Sequence, residues 1–72
     1  MKDYIYRMMD ERKDLVEKWE KLTRFKNNNY NNLDDTERYL MQEQVEIIDT
    51  YIWILDARIS HAILKEQKED EK

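Results

Sequence analysis

Not one glycine or proline occurs among the 72 residues of this chain. Tight hairpin turns and phosphate-cradling loops depend on those two residues, so their absence argues against an all-β fold and against a nucleotide-binding loop. Nothing of the kind interrupts a helix either. The stretch from Val45 to Leu64 takes up that freedom. Val45, Ile48, Ile52, Leu55, Ile59, Ala62 and Ile63 recur at steps of three and four, which stacks them on one helical face. A second row lies beside them: Gln44, Ile47, Tyr51, Ile54 and Arg58. The apolar surface is wider than a single partner helix needs.

The segment before it has the same period. Ile5, Met8, Arg12, Leu15, Trp19 and Leu22 fall on one face, predicting a helix over about 3–25. Asp3 suits its N-cap, and four acid-to-base pairs (Asp3–Arg7, Asp14–Lys18, Glu17–Lys21, Glu20–Arg24) each add a few tenths of a kcal/mol, roughly. Five asparagines around Tyr30 mark a loop over 26–33, with left-handed asparagine replacing the missing glycine. Asp34 and Glu37 have capping-box spacing and open a second helix over about 35–65. Residues 66–72 lack apolar side chains and read as a charged, frayed tail.

The expected fold class is therefore all-α: a single domain, 1–65, forming an antiparallel two-helix hairpin, with the longer helix overhanging at its C-terminal end. One hairpin of this size buries a modest core and leaves apolar surface over, so it is expected to assemble into a homo-oligomeric helical bundle. Trp19, Ile48, Ile52, Trp53, Leu55 and Ile59 are the candidate interface residues, with Trp53 and Leu64 off the main stripe.

Composition excludes several function classes. Without cysteine, and with His61 the lone histidine, no zinc cluster can form, and no metal or cofactor is expected. The longest apolar run, Tyr51 to Leu55, is far too short for a membrane span, and no secretory signal core is present, so a cytoplasmic protein is expected. The net charge of −4 divides unevenly: residues 1–26 hold eight bases and six acids, residues 27–72 five bases and eleven acids. That total disfavours nucleic acid as a partner. The basic side chains Lys18, Lys21, Arg24 and Lys26 are mostly matched by acids one turn earlier and read as a solvated face. No nucleophile, base and orienting group share a pattern, so the chain is not expected to be an enzyme.

Six residues are candidates for ligand binding: Tyr4, Arg7, Arg12, Gln44, Tyr51 and Arg58. Arginines bordering an apolar stripe suit a phosphorylated ligand, and tyrosines beside them suit a stacked base. An ordinary alternative stands beside each. Arg12 or Arg58 can pair with Glu11, Asp49 or Asp56. The tyrosines can fill a seam, and Gln44 can bond its neighbours across one.

Residues 2–25, together with Leu40, Gln44, Tyr51, Leu55, Arg58 and Ile59, resemble a family of small helical-hairpin proteins of crAss-like phages and Firmicutes prophages. The pattern runs Tyr4, Arg7, Glu11, Leu15, Lys18, Leu22, Phe25, Leu33, Leu40, Gln44, Tyr51, Leu55 and Arg58. The resemblance implies a phage or prophage origin and a two-helix fold; it brings no established activity. Compact hairpin proteins that assemble and trap cyclic nucleotide immune signals between protomers have a similar architecture. The expected function is thus a phage accessory protein counteracting bacterial defence, working in the cytoplasm of the bacterial host cell. Its expected partners are itself and a small nucleotide-type signal. The alternatives are an inhibitor that binds a host defence protein, an acidic nucleic-acid mimic, and a purely structural oligomer.

Overall fold

The computed structural model describes residues 1–70 and is all-helical across them. Helix α1 spans Asp3–Asn28, a single 3-10 turn spans Tyr30–Asn32, and helix α2 spans Asp35–Asp70. The two long helices form an antiparallel hairpin 59 Å long and about 15 Å across. Three cross-helix polar contacts pin its register: Lys26 Nζ donates to Gln42 at the loop end, Arg12 bonds Asp56 in the middle, and Lys2 Nζ meets Glu69 at 2.9 Å at the open end.

Ile5 and Leu55 are completely buried, and Met8, Ile59 and Ala62 close around them, with Met9, Leu15 and Ile63 packed on the outside. These residues come from the two apolar stripes, as the spacing requires. The cluster lies towards the open end, where α1 begins. Leu55 and Ile59, expected at an interface, are consumed here and are out of reach of another molecule. Trp19, Ile48 and Ile52 are half-buried along the seam, while Trp53 stands exposed on the far side of α2.

The helix ends differ from the sequence expectation in three ways. First, α1 begins at Asp3 as expected, but Lys2 and not Asp3 is its N-cap, and it continues past Phe25 to Asn28. Asn29 stops it without a left-handed residue: its backbone N–H and its side-chain amide both donate to the Phe25 carbonyl at 3.0 Å. No residue among those described has a positive φ. Second, residues 66–70 of the expected frayed tail are helical, and Lys2–Glu69 ties that turn to the start of α1; residues 71 and 72 lie outside the described residues. Third, α2 outruns α1 at both ends and not at its C-terminal end alone: Lys26 meets Gln42 and Lys2 meets Glu69, so the first turns of α2 and its last turn both lie beyond α1. The loop folds back over those first turns, where Arg38 donates to the Tyr30 carbonyl at 2.8 Å and lies 4.2 Å from the Tyr30 ring centre. The capping box starts α2 early: Glu37 N–H donates to Asp34 Oδ1 at 2.7 Å, and Asp34 N–H to Glu37 Oε2 at 3.2 Å. Among the described residues, none of the four ion pairs expected along α1 is formed; the ion pairs between the helices use other groups, Lys2 with Glu69 and Arg12 with Asp56.

Candidate functional site

Two depressions along the hairpin gather the residues that could hold a ligand. Near the open end, Tyr4 and Met8 of α1 and Arg58, His61, Ala62 and Lys65 of α2 line a shallow basin of ≈ 190 Å³. Steps of three and four from 58 to 65 bring the guanidinium, imidazole and ammonium groups to one side of α2. The basin thus has an apolar floor, an aromatic wall and a cationic rim, the combination that holds a phosphate beside a stacked ring.

A second depression of ≈ 590 Å³ lies between the helices nearer the loop, lined by Leu15, Lys18, Lys21, Leu22, Phe25, Gln44 and Ile48. Tyr51 lies between these two regions in the sequence of α2, and its hydroxyl donates to Glu11 across the hairpin. That bond to a carboxylate is the chief reason the phenol titrates above its usual range. Loss of solvent and the charge of Glu11 push the same way, while the nearby positive charge of Arg58 opposes them.

The six candidate ligand residues therefore separate. Tyr4 and Arg58 meet in the basin. Tyr51 is bound to Glu11, yet within electrostatic reach of Arg58. Gln44 belongs to the loop-end depression. Arg7 is exposed on α1 and does not line the basin. Arg12 is committed to a two-pronged contact with Asp56, its second nitrogen 3.5 Å from Oδ2, which is one of the pairings its place in the stripe allowed. His61 and Lys65 had not been singled out as ligand residues. The signal that finds them is the run Ala57–Lys65, which holds Arg58, His61 and Lys65 and no acid. Among the described residues, no group of histidine and carboxylate side chains is placed to hold a metal ion. None of the helices is long and apolar enough to cross a membrane.

A protein-family model described as Sequestin matches residues 2–61. The chain belongs to the Sequestin family. The match takes in α1, the loop and α2 as far as His61; it includes Tyr4, Tyr51, Arg58 and His61 and stops short of Lys65. Comparison with curated proteins and with solved structures gives no match.

Proposed function

We propose that this Sequestin-family hairpin is a non-enzymatic phage or prophage protein that counteracts bacterial defence by sequestering a small nucleotide-derived immune signal in the cytoplasm of the host. The observation that carries the reading is the basin: Arg58, His61 and Lys65 offer nitrogen donors to a phosphate, and the Tyr4 ring offers a face to a base. The family's name supports a sequestering role. Ligand sites for whole small molecules are typically about 300–1,000 Å³, so a basin of ≈ 190 Å³ fits part of a nucleotide. Assembled protomers supply the rest of the enclosure, which accords with the apolar surface left exposed on α2.

The test is thermal stability and calorimetric titration with a panel of cyclic nucleotides and ADP-ribose derivatives. A bound member at one hundred times its Kd stabilises the folded state by about 2.7 kcal/mol, and Arg58→Glu should abolish that gain while the helix content holds. No stabilisation by any member of the panel overturns the reading. Capture of a host defence protein, with the effect on defence surviving Arg58→Glu, would support the inhibitor reading in its place.

A further inference from the structure

One flank of α2, beside the stripe packed on α1, repeats at steps of four and three: Leu40, Gln44, Ile47, Tyr51, Ile54, Arg58. This is a second seam of coiled-coil period, distinct from the one buried against α1. Ile47 is 66% exposed and Leu40 58%, with Ile54 and Tyr51 near half. A depression on this face is lined by Glu43, Glu46, Ile47, Thr50, Tyr51 and Ile54. Those six residues form two four-residue diamonds sharing an edge: 43–46–47–50 and 47–50–51–54. A diamond of residues i, i+3, i+4 and i+7 is the hole that receives a knob from a facing helix.

We propose that a second copy of this chain docks antiparallel on this seam, α2 against α2, with the two-fold axis midway between Ile47 and Tyr51. In that register Ile47 enters the partner's diamond 47–50–51–54, and Tyr51 enters the partner's diamond 43–46–47–50. The facing layers are Ile47 with the partner's Tyr51, Gln44 with the partner's Ile54, and Leu40 with the partner's Arg58. One register thus fills both halves of the depression with the two central side chains of the seam, and the contact is self-complementary as two-fold symmetry demands.

Charge selects the direction. Residues 34–46 hold five acids (Asp34, Asp35, Glu37, Glu43, Glu46) against one base, Arg38, whereas residues 57–65 hold Arg58, His61 and Lys65 and no acid. Antiparallel docking sets the acidic end of each copy against the basic end of the other, with Glu43 flanking the partner's Arg58. Parallel docking would set like against like. The pairing rests on the proposed sequestration reading in one respect only. It lays the partner's first turns of α2 along the open side of the Tyr4–Arg58–His61–Lys65 basin and gives it a second wall.

The chain has no cysteine, so single cysteines report the geometry cleanly. Thr36→Cys and Leu64→Cys lie four heptads apart on the same flank of the seam, and in this register they come within two residues of facing each other across the pair. With a short bifunctional maleimide and no ligand present, a mixture of the two variants should give a crosslinked dimer. Neither variant alone should, because like positions then lie about 39 Å (Thr36→Cys) and about 45 Å (Leu64→Cys) apart at ~1.5 Å per residue. Sedimentation should show a dimer for the unmodified chain and a helical monomer for Ile47→Glu. Arg58→Glu should weaken the dimer roughly tenfold, and Glu43→Arg in the same chain should restore it. Efficient crosslinking of either cysteine variant with itself, a monomer at all concentrations, or a dimer lost on Trp53→Glu but kept on Ile47→Glu overturns the proposal. These readouts need no ligand: a chain that pairs this way but binds no nucleotide refutes the sequestration reading alone, and one that binds nucleotide without pairing refutes the pairing alone.

Discussion

Leu55 and Ile54 are neighbours in sequence, and the fold assigns them opposite roles, so truncating each to alanine is a sharp test of the helix register. Leu55 is completely buried between α1 and α2, at the centre of the cluster with Ile5 and Ile59. Removing its side chain loses the transfer energy of the deleted methyl groups and leaves a cavity, about 2–5 kcal/mol together. A domain of this length has roughly 4–11 kcal/mol of total stability at ~0.05–0.15 kcal/mol per residue, so Leu55→Ala should remove a large share of it at any protein concentration. Ile54 is 45% exposed. Full burial of such a side chain stabilises by about 1.5–3 kcal/mol, so within one hairpin Ile54→Ala should cost ~1 kcal/mol. Any further cost should appear only where copies pair, and should grow with protein concentration. Urea unfolding followed by circular dichroism at low and high concentration separates the two terms. If Ile54→Ala matches Leu55→Ala at low concentration, the register that turns Leu55 inward is wrong.

Three further outcomes follow from named contacts. Asp34→Ala removes the acceptor for the Glu37 N–H and should destabilise the chain by about 1 kcal/mol in urea titrations; no change would mean the box contributes nothing to starting α2. The Tyr51 phenol is held above its ordinary pKa by its bond to Glu11. A raised folded-state pKa adds stability that is fully present below the ordinary value near 10.0 and is lost as pH rises through the raised one. Difference titration of phenolate absorbance against Tyr51→Phe should therefore show one tyrosine ionising late, and Glu11→Gln should bring it earlier. Arg12→Leu leaves Asp56 without its partner, yet both groups remain partly open to water, so the loss should be no more than about 1 kcal/mol by thermal unfolding. A loss several times larger would show that the pair is sealed from solvent.

The hairpin was legible because spacing alone decides which side chains share a helical face. Ile5, Met8, Leu55 and Ile59 lie in the two stripes, and they form the core. The capping box was legible too, since Asp34 and Glu37 satisfy each other locally. Helix ends were not. Asn29 closes α1 by donating twice to one carbonyl, a geometry that looks the same in sequence as a left-handed stop. Nor was the overhang at the loop end, where Arg38 holds the loop back through Tyr30. Within the candidate site, Tyr4 and Arg58 could be named from the sequence, but their meeting depends on cross-helix register, which helical period leaves open. Arg12 satisfies both a ligand reading and an ion-pair reading in sequence, and only the position of Asp56 separates them. His61 and Lys65 carry no such mark in the sequence, because a lone histidine reads as a metal ligand or catalytic base, and only the acid-free run Ala57–Lys65 makes it one donor among three.

The lopsided placement of the core has a kinetic consequence. Helical hairpins usually fold fast, because their contacts are local. Here the contacts worth most join Ile5 and Met8 to Leu55, Ile59 and Ala62, side chains about fifty positions apart along the chain, while the half nearer the loop has one buried side chain, Val45, among polar and half-buried groups. Zipping outward from the loop therefore brings little reward until the chain has nearly met its own beginning, and the closure entropy falls due first. The rate-limiting event should be the arrival of α1's first turns on α2, and the loop end should exchange its amide hydrogens well before the open end does.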